Sequence, residues 1–387
     1  MNTKQRDESY IAHTYGRYDI EIAGGKGSIV WDETGKKYID MATGIAVNSF
    51  GVADDEWISA VTKQLNSFQH TSNLYYTAPC TQLAQMLVNK TGMKRVFFSN
   101  SGAEANECAI KTARKYGTDN KGKSCNKIIT LINSFHGRTI TTLAATGQDA
   151  LHKDFLPLTD GFIYVSANDI DALKAAMQDD DVCAVMFECV QGEGGVNPLD
   201  KQYVSEMAKL AGEKDILLVV DEVQTGNGRT GALYAYMNYG ITPDIVSTAK
   251  GLGGGLPIGA TLFGQKTADT LTKGTHGSTF GGNPVCCAGA ISILSRIDDA
   301  LLEDVREKSA YIFNELSGKP GIEGVSGMGL MIGLKTKKPA AQVVKRCAEL
   351  GVLVITAHEK VRLLPALNIP MELVKEACGV IEAACAE

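Results

Sequence analysis

Residues 244–255 read DIVSTAKGLGGG, an apolar run that ends near Lys250 and passes into a glycine-rich loop. Such a run predicts a buried strand, and open parallel sheets gather their ligands at the carboxyl ends of their strands. A lysine at that place is either a solvated surface charge or an amine that its apolar, glycine-rich flanks partly desolvate. In the second case desolvation lowers the pKa of the amine and prepares Lys250 as a nucleophile.

Other short apolar runs in the middle of the chain predict further strands, and helical patterns alternate with several of them. This alternation is typical of the α/β class with a mostly parallel central sheet. The predicted strands are 127–132, 162–165, 182–187, 216–220, 244–248 and 258–263, and the predicted helices are 55–68, 79–88, 168–177, 200–210 and 284–297.

The length of 387 residues exceeds what one hydrophobic core usually fills, so two domains are expected. We assign residues 46–300 to a large domain. Residues 1–45 form short strands and turns, and residues 301–387 form a long helix, a strand at 329–334, a second helix and a strand at 352–355; together they make a smaller α+β domain. The chain has no Pro/Ser-rich linker, so a broad interface between the domains is expected.

Composition excludes several classes of protein. The formal net charge is −6 and no long basic run is present, which argues against nucleic acid as a partner. No signal peptide and no apolar stretch of about 18 residues is visible, so we expect a cytoplasmic protein without a membrane partner. The ten scattered cysteines are interpreted as reduced core residues, and without CxxC spacing they give no support to a metal site.

Ser101 and Glu104 have the spacing of a capping box at the start of a helix that follows the apolar residues 96–98. The small residues around them would let an anion approach the unpaired N–H groups at the positive end of that helix, which would make a phosphate cradle. The alternative is a well-capped helix without a ligand.

Asp221 follows the apolar run 216–220, again at the carboxyl end of a predicted strand. A carboxylate in such a place is costly unless it is paired. It could cap a helix or a turn, or it could pair with a protonated ring nitrogen of a ligand.

Seven blocks of sequence, in this order along the chain, resemble the class III aminotransferases that depend on pyridoxal phosphate, and acetylornithine aminotransferases most of all. The resemblance extends from about residue 15 to 369 and implies the fold type I of pyridoxal-phosphate-dependent transferases. The blocks are SNSGAEANE at 99–107, SFHGRT at 134–139, QGEGGV at 191–196, DEVQTG at 221–226, KGLGGG at 250–255, GTHGSTFGGNP at 274–284 and RLLP at 362–365.

The resemblance implies two catalytic residues. Lys250 would hold the aldehyde of the cofactor covalently and then act as the base for the proton shift, while Asp221 would keep the pyridine nitrogen protonated. Further residues would bind the cofactor. They are Ser101, Gly102 and Ala103 at the phosphate, Phe135 and Val223 on the two faces of the ring, Gln224 near its phenolic oxygen, and Thr279, which would reach the phosphate of the neighbouring subunit in a homodimer. For Phe135, core packing is the alternative.

The resemblance also implies a site for the substrate. Arg138 would clamp a carboxylate with its planar fork, although an exposed salt bridge is the alternative. Arg362 would bind a second carboxylate, and Glu193 would pair with Arg362 for one substrate and release it for the other. Ser278 would help to position the substrate, and His136 has at most a supporting role.

The implied reaction moves the terminal amino group of N-acetylornithine to 2-oxoglutarate, as in arginine biosynthesis. Ornithine, succinylornithine, succinyldiaminopimelate and 4-aminobutyrate are alternative donors. An aminomutase and a non-catalytic phosphate-binding protein are more distant alternatives, and the second is weakened because no GxGxxG follows the early strands.

Two single positions and one short segment depart from the family pattern. Cys189 stands where proline is frequent, Asn227 stands where methionine is common, and 51–55 reads GVADD in place of Gly-His-x-His-Pro. None of them is a residue that the resemblance assigns to the cofactor.

Overall fold

The computed structural model describes residues 1–387. Its second helical segment is a left-handed turn, because all four of its residues have positive φ. The helical segments are α1 Thr3–Tyr10, α2 Thr43–Ala46, α3 Asp55–Leu65, α4 Ala78–Thr91, α5 Gly102–Asn120, α6 Ile140–Ala145, α7 Asp149–His152, α8 Ile170–Ala176, α9 Lys201–Glu213, α10 Tyr236–Tyr239, α11 Pro284–Ser295, α12 Asp299–Leu316, α13 Ala340–Glu349 and α14 Met371–Ala386.

The strands form four sheets, of which the largest has seven strands. Every apolar run that predicted a strand in the middle of the chain is a strand. The strands are β1 Ile22–Lys26, β2 Ile29–Asp32, β3 Lys37–Asp40, β4 Arg95–Ser99, β5 Lys127–Leu131, β6 Phe162–Val165, β7 Val182–Phe187, β8 Val190–Gln191, β9 Asn197–Pro198, β10 Leu217–Asp221, β11 Ile245–Thr248, β12 Gly259–Phe263, β13 Ile322–Met328, β14 Met331–Thr336, β15 Val352–Leu353, β16 Ile355–Ala357 and β17 Lys360–Leu363.

The central sheet has the strand order β4-β12-β11-β10-β7-β5-β6. Its strands are parallel except for β12, which runs antiparallel to both of its neighbours. A parallel connection needs a long crossover, usually a helix, but residues 249–258 between β11 and β12 contain only a short 3₁₀ turn. The predicted α/β fold with a mostly parallel sheet is therefore confirmed, with one reversed strand.

Two neighbouring strands of this sheet carry the amine and the acid predicted from the sequence. β10 and β11 are parallel, and their register places Asp221 opposite Ser247. Only Ala249 lies between the end of β11 and Lys250. Because parallel strands end at the same edge of a sheet, both side chains reach the same side of the molecule.

Two small sheets are built from the chain ends. The predicted strand 352–355 divides at Val354 into β15, which pairs with β3, and β16, which pairs with β17. The sequence did not predict four elements near the ends, because α1 has almost no apolar residues, β17 is short, and glycine interrupts β13 and α14. These elements are α1, β13, β17 and α14.

The buried apolar side chains form separate clusters. The largest, with 36 residues, lies between Phe50 and Ile297. A second, with 25 residues, contains Ile39, Met41 and residues from Val305 to Cys385. This separation supports the proposed domains, 46–300 and 1–45 with 301–387, whose boundaries stay a prediction. None of the helices combines the length and the apolar composition that a membrane crossing requires.

Candidate active site

Lys250 and Asp221 line the same cavity, which has a volume of about 440 Å³. Most of the residues that the sequence assigned to a ligand site share it, although they come from four separate parts of the chain. The predicted residues in its wall are Ser101, Gly102, Ala103, Phe135, Arg138, Asp221, Val223, Gln224 and Lys250.

Asp221 is 3% exposed and accepts three hydrogen bonds. Asn106 Nδ2 donates to its Oδ2 at 2.7 Å, and His136 Nδ1 lies 2.8 Å from the same oxygen. The backbone N–H of Val223 donates to Oδ1 at 3.0 Å. These contacts satisfy the oxygens of a buried carboxylate and fix its orientation. Asp221 thus caps the turn that follows β10 through the N–H of Val223, and it also lines the cavity.

Lys250 begins the 3₁₀ turn Lys250–Leu252 and has a φ of +45°, a left-handed conformation that is uncommon for lysine. Burial lowers the pKa of its amine. The nearby carboxylate of Glu193 acts to raise this pKa, and the guanidinium of Arg362 acts to lower it. The amine is therefore more easily deprotonated than that of a surface lysine, as the sequence predicted.

Helix α5 begins at the cavity wall. Ser101 Oγ accepts from the N–H of Glu104 at 3.2 Å, as a capping box requires, but the carboxylate of Glu104 accepts from the N–H of Asn100 at 2.6 Å instead of from Ser101. A Cβ atom on Gly102 would lie 2.6 Å from Val223 Cγ1, so glycine is needed there. The first N–H groups of the helix have no intrahelical partner and can bind an anion.

Phe135 is half-buried in the cavity wall and is not part of a core cluster, so the core-packing alternative does not apply. The guanidinium of Arg138 is exposed and lies 5.6 Å from the centroid of the Phe135 ring. It forms no salt bridge, which was the alternative for this arginine.

Glu188 also lines this cavity, and the sequence analysis missed it. Its Oε2 accepts from the N–H of Phe135 at 3.0 Å and so holds the backbone that carries the ring. Burial raises the pKa of Glu188 well above its ordinary value, and the charge of Asp221 raises it further. Its position could have indicated a site residue. Glu188 is a charged residue directly after the apolar strand β7, and Asp221 has the corresponding position at the end of β10.

Glu193 and Arg362 form a bidentate ion pair beside the cavity, with distances of 2.6 Å to Nη1 and 3.2 Å to Nη2. Gln224 joins them, since its Nε2 donates to Glu193 at 3.1 Å and its Oε1 accepts from Arg362 at 3.0 Å. Burial acts to raise the pKa of Glu193, but the charge of Arg362 lowers it. Arg362 Nε is buried without a partner, so this guanidinium retains a free donor.

Ser278 and Thr279 are not in the wall of this cavity. They line a separate hollow of about 420 Å³, which shares Asn100 with the first cavity. Ser278 Oγ accepts from Asn100 Nδ2 at 3.1 Å and from the N–H of Gly281 at 3.0 Å, and Thr279 is exposed.

The sequence is similar to that of known enzymes along almost its whole length. The family model "Aminotransferase class-III" matches residues 10–385. The acetylornithine aminotransferase of Haemophilus ducreyi is 50% identical over 380 residues, which cover 98% of this chain and 97% of that protein. The acetylornithine aminotransferase of Methanocaldococcus jannaschii is 44% identical over 372 residues, with coverages of 95% and 93%.

Solved structures give the same result for the fold. The ornithine aminotransferase of Toxoplasma gondii, whose active site holds pyridoxal phosphate at partial occupancy, matches with a TM-score of 0.95 and 32% identity over 99% of this chain and 93% of that one. The N-acetylornithine aminotransferase of Stenotrophomonas maltophilia matches with a TM-score of 0.85 and 35% identity, with coverages of 99% and 98%.

Pyridoxal phosphate is the cofactor of this family, and the cavity has the groups that it needs. Lys250 offers an amine with a lowered pKa, Asp221 offers a buried carboxylate, and the start of α5 offers N–H groups beside a glycine that a larger residue could not replace. With these groups in one cavity and the family model matched from residue 10 to 385, the chain belongs to the class III aminotransferases.

Proposed function

We propose that this protein transfers the terminal amino group of N-acetylornithine to 2-oxoglutarate and gives N-acetylglutamate semialdehyde and glutamate, as in arginine biosynthesis. The observation that carries this proposal is the arrangement of two arginines. Arg138 is free at the cavity, whereas Arg362 is paired with Glu193 beside it. The curated acetylornithine aminotransferases that are 42–50% identical to this chain support the same substrate.

Lys250 and Asp221 are the proposed catalytic residues. When bound, pyridoxal phosphate supplies an electron sink at the carbon that bears the transferred amino group. Lys250 would take a proton from the substrate carbon that bears the amino group and deliver it to the cofactor carbon that receives this group, for which its lowered pKa is suited. Asp221 holds a proton on the pyridine nitrogen, because its buried negative charge favours the protonated ring.

The remaining wall residues are proposed to orient the cofactor. Phe135 and Val223 would hold the two faces of the ring, and Gln224 would lie near the phenolic oxygen. The N–H groups of Gly102 and Ala103, with the hydroxyl of Ser101, bind the phosphate at the start of α5.

The two arginines are proposed to distinguish the two substrates. Arg138 binds the carboxylate of acetylornithine, with Ser278 assisting in its placement, while Glu193 keeps Arg362 neutralised. When glutamate or 2-oxoglutarate is bound, Glu193 releases Arg362, which then binds the second carboxylate with its planar fork. One pocket can thus serve both halves of a ping-pong cycle.

Thr279 is proposed to bind the phosphate of a second subunit, since it is exposed and lies outside the cavity of its own chain. The active form is then a homodimer, for which we propose a cytoplasmic location. Mixing T279A subunits with K250A subunits tests this proposal, because each hybrid dimer contains one site with both native residues. Activity above that of either parent is expected, and hybrids no more active than the parents would contradict the shared site.

The substrate is tested by comparing kcat/KM for acetylornithine, succinylornithine, succinyldiaminopimelate, ornithine and 4-aminobutyrate, each with 2-oxoglutarate. Acetylornithine is expected to be the best donor. Ornithine is the competing donor, because the ornithine aminotransferase of Toxoplasma gondii matches this structure with a TM-score of 0.95. A clear preference for ornithine would overturn the acetylated substrate, and turnover of an amino aldehyde without any oxo acid would indicate an aminomutase.

A further inference from the structure

The conformation of Lys250 requires support from its surroundings. Its φ of +45° is one that residues other than glycine and asparagine rarely adopt. The direction of the side chain into the cavity depends on the peptide between Ala249 and Lys250. Whatever fixes the carbonyl of Ala249 therefore fixes the starting point of the reactive amine.

Asn227 is bonded to this peptide from the neighbouring loop. Its Nδ2 donates to the carbonyl of Ala249 at 3.2 Å and to Thr248 Oγ1 at 3.0 Å. The same carbonyl also accepts from the N–H of Leu252 at 2.9 Å. Two donors from different parts of the chain thus hold one carbonyl oxygen, and one of them is a side chain.

The environment of Asn227 indicates that its amide serves this contact. The residue is 2% exposed, and its Oδ1 is buried without a hydrogen-bond partner. A buried polar atom without a partner is unfavourable, so packing alone would favour an apolar side chain, such as the methionine that the family pattern has here. The left-handed φ of +58° at Asn227 is a second possible reason for asparagine, which the experiment must separate from the first.

We infer that Asn227 is a positioning residue for Lys250, which it orients by holding the carbonyl of Ala249. This inference rests on the proposed function of Lys250 as the residue that binds the cofactor. Asn227 does not line the cavity, so it acts through the backbone and not by contact with a ligand.

Two variants remove the amide in different ways. N227G keeps the left-handed conformation without a side chain, and N227M introduces the apolar side chain of the family pattern. The matched control is N168G, because Asn168 has a similar φ of +64° but is exposed and far from the cavity wall. If one of the Asn227 variants does not fold, the other still tests the inference.

The readout besides activity is the pH titration of the visible band of the lysine-bound cofactor, together with the pKa of the Lys250 amine in the apoprotein from its rate of reductive methylation. In N227G and N227M we expect the midpoint of the visible titration to shift by about half a pH unit or more. We expect kcat to fall about 10-fold while KM for both substrates changes less than about 2-fold. N168G should match the wild type in all of these measurements.

The outcomes separate the two proposals. If the wild type has the visible band and both Asn227 variants titrate and turn over like it, the positioning role of Asn227 is wrong and the function of Lys250 stands. If the wild type itself has no such band after addition of pyridoxal phosphate, the proposed function fails and the inference fails with it.

Discussion

The base of the cavity, formed by Asn106, His136 and Asp221, differs from what we call the rim, which consists of Arg138 in the cavity wall and of Ser278 and Thr279 in the neighbouring hollow. The base is buried, and Asn106 and His136 contact Asp221 within one chain at 2.7 and 2.8 Å. The rim residues are exposed or half-buried, and Thr279 does not reach the cavity of its own chain. The base is therefore organised before any ligand arrives, whereas we propose that the rim is completed by a substrate or by a second subunit.

Replacement of Asp221 at the base should have the largest effect. D221N keeps the shape of the side chain but removes the charge that holds a proton on the pyridine nitrogen, so kcat should fall about a thousand-fold or more. Single-turnover kinetics with acetylornithine measure this loss, with cofactor content as the control for binding. A loss of less than about 10-fold would mean that Asp221 does not control the electronics of the cofactor.

Glu222 is the residue after Asp221, and it should affect the stability of the folded protein instead of catalysis. It is fully buried, and burial raises its pKa from 4.5 to about 7, although Thr225 Oγ1 donates to it at 2.6 Å. Between about pH 4.5 and about pH 7 the folded state keeps a proton that the unfolded state has lost, so stability falls as the pH rises through this range.

In E222Q the fall in stability with rising pH should disappear. The free energy of unfolding of the wild type, relative to that of E222Q, should decrease by about 3 kcal/mol between pH 4 and pH 8, because one unit of pKa shift corresponds to about 1.4 kcal/mol. Urea unfolding of the holoenzyme at several pH values measures it. E307Q, at an exposed position on α12, is the matched control and should follow the wild type. Parallel curves for the wild type and E222Q would show that Glu222 is already ionised at low pH.

Arg362 lies between the base and the rim, and R362K should act on one substrate only. Lysine cannot form the two parallel bonds that Arg362 makes with Glu193, nor those with the second carboxylate of glutamate. We expect kcat/KM for 2-oxoglutarate to fall about 50-fold and that for acetylornithine to fall less than about 5-fold. The two half-reactions are followed separately, with R306K on the surface as a control. Equal losses in both would contradict the exchange of partners by Arg362.

Replacement of Ser278 at the rim should have the smallest effect. Its hydroxyl already accepts from Asn100 and from the N–H of Gly281, so S278A should lower kcat/KM for acetylornithine less than about 5-fold. Steady-state kinetics measure this change. A loss comparable to that of D221N would remove the distinction between the base and the rim.

The sequence predicted the positions of Lys250 and Asp221 because each follows an apolar run that had to be a buried strand. Their meeting in one cavity depends on β10 and β11 being neighbours, which the alternation of strands and helices favours but does not specify. The reversed direction of β12 was not visible, because an apolar run has the same pattern in both directions.

Contacts between distant parts of the chain could not be predicted from the residues. Asn106 lies 115 positions before Asp221, and nothing in its local sequence distinguishes it from other polar residues of a helix. Glu188 had a local signal, but its bond to Phe135 had none. The family resemblance supplied roles for the predicted residues, whereas their hydrogen-bond partners became known only from the structure.

The pairing of β15 with β3 has a consequence for synthesis on the ribosome. Val352 lies opposite Ile39, so the first small sheet lacks its fourth strand until nearly the whole chain has been translated. During that time β3 exposes an unpaired edge, the kind of surface on which nascent chains aggregate. Chaperone dependence in vivo should therefore arise from the amino-terminal strands, even though they are the first to leave the exit tunnel.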